Sequence, residues 1–191
     1  MHIYGRMKTI CVFCGSSARA RAVYLKAAEE FARFLAGCDI EIVYGGGHVG
    51  LMGALADAAL AAGGKVQGVI PQTLVERELA HRGVDKLHIV NSMHERKALM
   101  GRLSDGFVAL PGAFGTFEEF FEVVTWTQLG IHHKPCGLLN VDGYFDSLLA
   151  LCDRAVADGF MLPATRNIVI ADSDQARLLE RLVSAEPRAA R

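Results

Sequence analysis

Four short stretches of this chain carry side chains that could do chemistry, and each follows an apolar run. "LPGAFGT", Leu110–Thr116, sets glycines just ahead of a helical pattern, an arrangement whose free backbone N–H groups bind anions. Glu118 and Glu119 follow at once inside that helix. "YGGGHVGLMG", Tyr44–Gly53, is a second glycine turn, and "CGSS", Cys14–Ser17, puts Ser16 and Ser17 beside Gly15. In "NSMHERKALM", Ser92 and Glu95 form a capping box, which gives Glu95 a structural role. Arg96 and Lys97 lie within about the first turn and a half of the same helix, where the macrodipole disfavours cations. Either they are solvated charges, or they face an anion at the same edge of the fold.

The acids pose the sharper question. Phe117, Phe120, Phe121 and Val124 recur at i, i+3, i+4 and i+7, which predicts a core face. Glu119 falls roughly opposite, near Val123 and Trp126. A helix with two such faces is expected to be buried on both sides, at a subunit interface. Dipole complementarity accounts for Glu118 in the first turn but not for a buried Glu119. A carboxylate beside a phosphate pocket makes sense where positive charge develops, as when a ribose C1′–N bond breaks and the sugar becomes oxocarbenium-like.

The other glycine turns admit several readings. "GGGHVG" fits G-x-G-x-x-G, but the following strand ends in "VIPQT" without the acid that would hold a dinucleotide ribose. An NAD site is therefore disfavoured. The favoured reading is a turn where backbone, at Gly46 and Gly47, approaches a phosphate or sugar. Ser16 and Ser17 either cap a helix or join Gly15 in binding an anion.

These segments need elements to position them. Apolar runs at Thr9–Phe13, Ile40–Tyr44, Lys65–Ile70, Leu87–Val90, Gly106–Leu110, Cys136–Asn140 and Asn167–Ala171 alternate with helical patterns. The helical stretches are Tyr24–Leu35, Leu51–Ala62, Ser92–Leu103, Thr116–Leu129, Tyr144–Ala157 and Ser173–Leu182. This alternation predicts an α/β fold: a doubly wound sheet of about seven mostly parallel strands with helices on both faces. Ligands bind outside the carboxyl ends of such strands, where the glycine turns fall. The polar segment between Ile70 and Leu87 is expected to be a functional loop or short helix. One domain over residues 1–184 and a frayed tail over 185–191 are expected. A net charge of -1 gives no nucleic-acid footprint. Five scattered cysteines suit free thiols in a reducing compartment, with Cys11 and Cys14 as core thiols on opposite strand faces. No run reaches membrane-spanning length, so a cytoplasmic protein is expected.

From "CVFCGSS" to "GFMLPATRNIVIADS" the chain resembles the Lonely Guy family of cytokinin riboside 5′-monophosphate phosphoribohydrolases, some of which carry the older label "possible lysine decarboxylase". Pro111–Glu119 aligns with the family pattern P-G-G-x-G-T-x-x-E, and Gly45–Gly53 matches "GGGxxGLMG". "SMHERK" and "TWTQLGIHHKPCGLLNVDGYFDSLL" are close to the family form. The resemblance implies a Rossmann-like fold, an assembly of two or more chains, and hydrolysis of adenine-type nucleoside 5′-monophosphates to free base and ribose 5-phosphate. It implies Arg96 and Glu119 as catalytic residues. The substrate contacts it implies are Glu78, Arg96, Lys97, the turn Ala113, Phe114, Gly115, Thr116, Phe117, Glu118 and Glu119, and Thr125. No metal or organic cofactor is implied, and Lys97 is the sole lysine among these residues, which gives the decarboxylase label no support. The expected substrate is AMP or an N6-substituted AMP, bound by a homodimer with the Phe117–Gln128 helix near its interface. Ala113 stands where the family has Gly, which motivates the alternative of a nucleotide sensor with little turnover.

Overall fold

The computed structural model describes residues 5, 7–75, 77 and 79–185. Its strands are β1 (Thr9–Phe13), β2 (Glu41–Tyr44), β3 (Val66–Pro71), β4 (Lys86–Val90), β5 (Gly106–Ala109), β6 (Cys136–Leu139) and β7 (Val169–Asp172). Its helices are α1 (Ala22–Gly37), α2 (Gly50–Ala61), α3 (Gln72–Val75), α4 (Met93–Leu103), α5 (Phe114–Gln128), α6 (Asp146–Ala157), α7 (Pro163–Arg166) and α8 (Gln175–Ser184). The strands form one sheet in the order β4-β3-β2-β1-β5-β6-β7, with every pairing parallel. Chain order runs outward one way from β1 to β4 and the other way from β5 to β7. The order therefore reverses between β1 and β5, where Ile10 pairs with both Ile42 and Gly106.

The central strands read as continuous apolar runs because both their faces are covered. β5 is buried at every position. On one face α1, α2 and α8 pack over Ile10, Val12, Ile42, Tyr44 and Val108. Within α1, Ala28, Phe31, Ala32 and Leu35 form the buried stripe that a 3.6-residue period requires. On the other face α4, α5 and the start of α6 cover Cys11, Phe13, Val43, Val69 and Phe107. Cys11 and Cys14 fall in the two separate cores, as their three-residue offset predicts, and none of the five cysteines forms a disulfide. Among the described residues no helix is long and apolar enough to cross a membrane.

Three local expectations are corrected. The buried stripe of α5 is Thr116, Glu119, Phe120, Val123 and Val124, one residue out of register with the predicted face. Phe121 is 39% exposed, whereas Val123 and Trp126 pack into the chain's own core and not on an outward face. Neither Ser16 nor Ser17 caps α1, whose N-cap is Arg21. The last strand starts late because Pro163, at the first position of α7, nucleates an extra turn that ends on Asn167. The expected loop after Ile70 contains the short α3, and the C-terminal residues 186–191 lie outside the described set.

Candidate active site

The carboxyl ends of β1 and β5 open into a cavity of about 600 Å³. This is the topological switch point of the sheet, where two neighbouring strands send their following segments to opposite faces. The loop after β1 supplies Cys14, Gly15, Ser16 and Ser17 to its wall, and the turn after β5 supplies Pro111, Gly112, Ala113, Gly115 and Thr116. The two backbones touch, with Gly15 N–H donating to Pro111 O at 3.0 Å.

That second turn delivers a helix N-terminus into the cavity. No side chain caps α5, and an early backbone bond of the helix runs from Phe117 N to Ala113 O at 3.1 Å. The N–H groups of Phe114, Gly115 and Thr116 precede it and have no acceptor within the helix. Gly112 leaves room for Thr116, because a Cβ there would collide with the Thr116 hydroxyl. Ala113 has φ −108 and ψ −154, extended backbone that any residue adopts, so alanine sits there without strain.

One turn further along, Glu119 lies on the cavity wall with only 5% of its surface exposed. Arg96 reaches it from α4, with Nη1 3.4 Å from Glu119 Oε1. The guanidinium is fixed elsewhere: Nε donates to Val69 O at 3.0 Å and Nη2 to Gly45 O at 3.2 Å. This explains the first glycine of "GGG", since a Cβ on Gly45 would occupy the place of Arg96 Nη2. Burial pushes the Glu119 carboxyl above the usual carboxylate range, and Arg96 pulls it part of the way back. Arg96, 3.4 Å away, thus favours the charged form of a carboxyl that burial disfavours, and the net direction is up.

Gly15, Ser16, Arg96, Ala113, Gly115, Thr116, Glu118 and Glu119 line this one cavity. Other candidates lie elsewhere. Lys97 is held between Glu118 and Glu122, the latter at 2.9 Å, and ties α4 to α5. Burial lowers its pKa, but the two carboxylates outweigh burial and the net direction is up. Lys97 is therefore a clamp between helices and not part of the cavity wall. Gly46 and Gly47 serve the loop after α3: Gly46 O accepts from His81 N at 2.8 Å, and Gly47 bridges Ala80. Phe114 is 88% exposed, Phe117 is half-buried, and Thr125 is exposed with its hydroxyl donated to Phe121 O at 2.7 Å. Glu78 lies outside the described residues. The sequence reading missed Arg19, Arg21, Tyr24, Met52, Met93 and Tyr144 on the wall. "VDGYF" held a signal for the last of these, a turn-forming Asp-Gly directly before an aromatic residue.

A parallel sheet with an uncapped helix N-terminus and a buried Arg–Glu pair at its switch point defines a Rossmann-like protein whose cavity has the features that favour an anion. The chain belongs to the Lonely Guy family of cytokinin riboside 5′-monophosphate phosphoribohydrolases. A family model described as "Possible lysine decarboxylase" matches residues 52–182. The chain is 51% identical over 182 residues to the "Probable cytokinin riboside 5'-monophosphate phosphoribohydrolase LOGL9" of Oryza sativa subsp. japonica, covering 95% of this chain and 80% of that one. It is 48% identical over 188 residues to the cytokinin riboside 5′-monophosphate phosphoribohydrolase LOG1 of Arabidopsis thaliana, covering 98% and 88%. The fold is shared with the molybdenum cofactor binding protein of Rippkaea orientalis, at TM-score 0.70 and 23% identity over 92% of this chain and 95% of that one. The molybdenum cofactor carrier protein of Chlamydomonas reinhardtii aligns with TM-score 0.68 and 20% identity, over 92% and 95%.

Proposed function

We propose that this chain hydrolyses the N-glycosidic bond of AMP or an N6-substituted AMP, giving the free base and ribose 5-phosphate. One observation carries the reading: a single helix brings both an uncapped N-terminus and, one turn on, a buried carboxylate to the wall of one cavity. The 5′-phosphate sits on the N–H groups of Gly115 and Thr116, where the macrodipole favours negative charge. Glu119 lies about 6 Å further along the helix axis. That rise is comparable to the span from a 5′-phosphorus to the anomeric carbon of the same nucleotide. The C1′–N bond breaks with its electron pair leaving on the base, the water oxygen bonds to C1′, and the proton this water loses balances the one the base takes up. Glu119 stabilises the cationic sugar and orients the water that adds to C1′, while Arg96 holds the carboxylate ionised and in place. The relatives' names describe this same reaction class.

The sensing alternative rests on Ala113, and the extended backbone there, at φ −108, removes strain as an argument for it. The active form is a homodimer with α5 near the interface. Support comes from the apolar side chains that α5 and its C-terminal turn present outward, Phe114, Phe121, Leu129 and Ile131, of which Phe114 stands beside the cavity wall. The chemistry needs no membrane, and free thiols suit a reducing cytoplasm. The test is to compare the monophosphate with its nucleoside. AMP should be hydrolysed far faster than adenosine, by about 100-fold or more in kcat/KM. Equal rates on the two would remove the phosphate site from this account.

A further inference from the structure

A chain of side chains crosses the cavity rim from the loop after β6, by way of Arg21 and Tyr24, to the turn after β5. It starts at a single 3-10 turn, Val141–Gly143, between β6 and α6. Asp142 in that turn has φ 53, a left-handed conformation that an aspartate tolerates at some cost. Arg21 holds it there through an ion pair of 2.9 Å. The Arg21 guanidinium also lies over the Tyr24 ring, 5.3 Å from its centroid, and Tyr24 meets Tyr144 edge-on at 5.4 Å. Tyr144 completes the series by donating its hydroxyl to the carbonyl oxygen of Gly112. Gly112 belongs to the turn that starts α5, and both it and Tyr144 line the cavity.

Gly112 is already confined on other sides. The Thr116 side chain fills the space where its Cβ would be, and Gly15 packs behind it, with Gly15 N bonded to Pro111 O. The freedom left to the turn is rotation of the peptide between Gly112 and Ala113. A trans peptide points its C=O and N–H in opposite directions. Fixing the Gly112 oxygen therefore fixes the direction of the Ala113 N–H. It also engages an acceptor whose lone pairs would repel a nearby phosphate.

We propose that Tyr144 is a positioning residue for phosphate binding: its hydroxyl locks the Gly112 carbonyl and so presets the turn that aims the first amides of α5 at the anion. The proposal rests on the phosphate-site reading above. Its test therefore uses a ligand that needs no turnover.

The experiment compares wild type with Tyr144→Phe, which keeps the ring against Tyr24 and deletes only the hydroxyl. Ribose 5-phosphate binding is measured by calorimetry, and adenine is measured separately as a competitive ligand. The expected result is a ribose 5-phosphate Kd raised by about three- to tenfold, the cost of one lost hydrogen bond, with the adenine constant unchanged. With AMP the same change should appear in KM, and kcat should stay within about twofold. An unchanged ribose 5-phosphate Kd would overturn the proposal, and so would an equal loss for adenine, which marks general disruption of the cavity. A wild type that binds ribose 5-phosphate without hydrolysing AMP overturns the enzymatic reading alone, and the Tyr144→Phe ratio still decides this one. A wild type that does not bind ribose 5-phosphate overturns both.

Discussion

Glu119 has 5% of its surface exposed, and Arg96 beside it favours the charged form that burial disfavours. If Glu119 stabilises a cationic sugar, Glu119→Gln keeps the shape and loses the effect. Its kcat on AMP should fall by about 100-fold or more with KM little changed; a wild-type kcat would contradict the mechanism. Ala113 allows the opposite kind of test. Its extended backbone makes no use of glycine's freedom, so Ala113→Gly should change activity little. Thermal or denaturant unfolding should show a loss of about 0.4–1 kcal/mol, because the unfolded chain gains entropy. At this scale Arg96 and Glu119 were legible, because each sits where its charge has no local explanation. Lys97 carried the same signal for another reason, since its partners Glu118 and Glu122 stand on a helix more than 20 residues away in sequence. The partners of Tyr144 and Arg21 were not legible, as they lie 32 and 121 residues distant.

Among the elements, α5 shows how a functional helix disguises its own packing. Thr116 and Glu119 occupy the buried stripe, so a count of apolar residues shifts the core face toward Phe117 and Phe121. The strands escaped this error because a fully buried strand is apolar on both faces and has no stripe to misplace. Helix starts were read late or early where a cap was absent or a turn intervened, as at α1 and α6. The segment between α5 and β6 carries a second testable feature. His132 accepts from Lys134 N at its Nδ1, 3.2 Å away, while its buried Nε2 has no hydrogen-bond partner among the described residues. The ring packs against Phe107 at 5.2 Å and Trp126 at 6.2 Å. Burial, then the nearby Lys134 and His133, lowers its pKa to about 4. The unfolded chain protonates this imidazole near the ordinary value of about 6.5. Its contribution to stability is therefore complete above pH 6.5 and is lost as pH falls from there towards 4. Thermal unfolding of wild type should show Tm dropping across that window. His132→Asn keeps an acceptor for Lys134 N, and its Tm should start lower and fall less steeply. Parallel slopes for the two proteins would show that His132 is not the group responsible.

For the whole molecule, strand order does most of the positioning. Placing β1 beside β5 brings "CGSS" and "LPGAFGT" together, and α4 returns across the sheet to lay Arg96 over Gly45 and against Glu119. The sequence marks the carboxyl ends of strands as the place for a ligand, but not which two strands are neighbours, and that adjacency makes the cavity. Assembly is the second property at this scale. The outward side chains Phe121 and Leu129 on and just after α5 are too exposed for a lone chain's core, at 39% and 65%. Homodimer interfaces are more apolar than the rest of a protein's surface. Phe121→Glu combined with Leu129→Glu should convert a homodimer to monomers in sedimentation velocity, and a wild type that sediments as a monomer at micromolar concentration would refute the dimer. The central claim is that this cavity cleaves the glycosidic bond of a nucleoside monophosphate, and product analysis tests it most directly. Wild type is incubated with AMP and with N6-isopentenyl-AMP, and the mixture is resolved by chromatography. The account predicts free base and ribose 5-phosphate in equal amounts from at least one of the two, and almost none from Glu119→Gln. Intact nucleotide after prolonged incubation, or release of inorganic phosphate with the glycosidic bond unbroken, would contradict it.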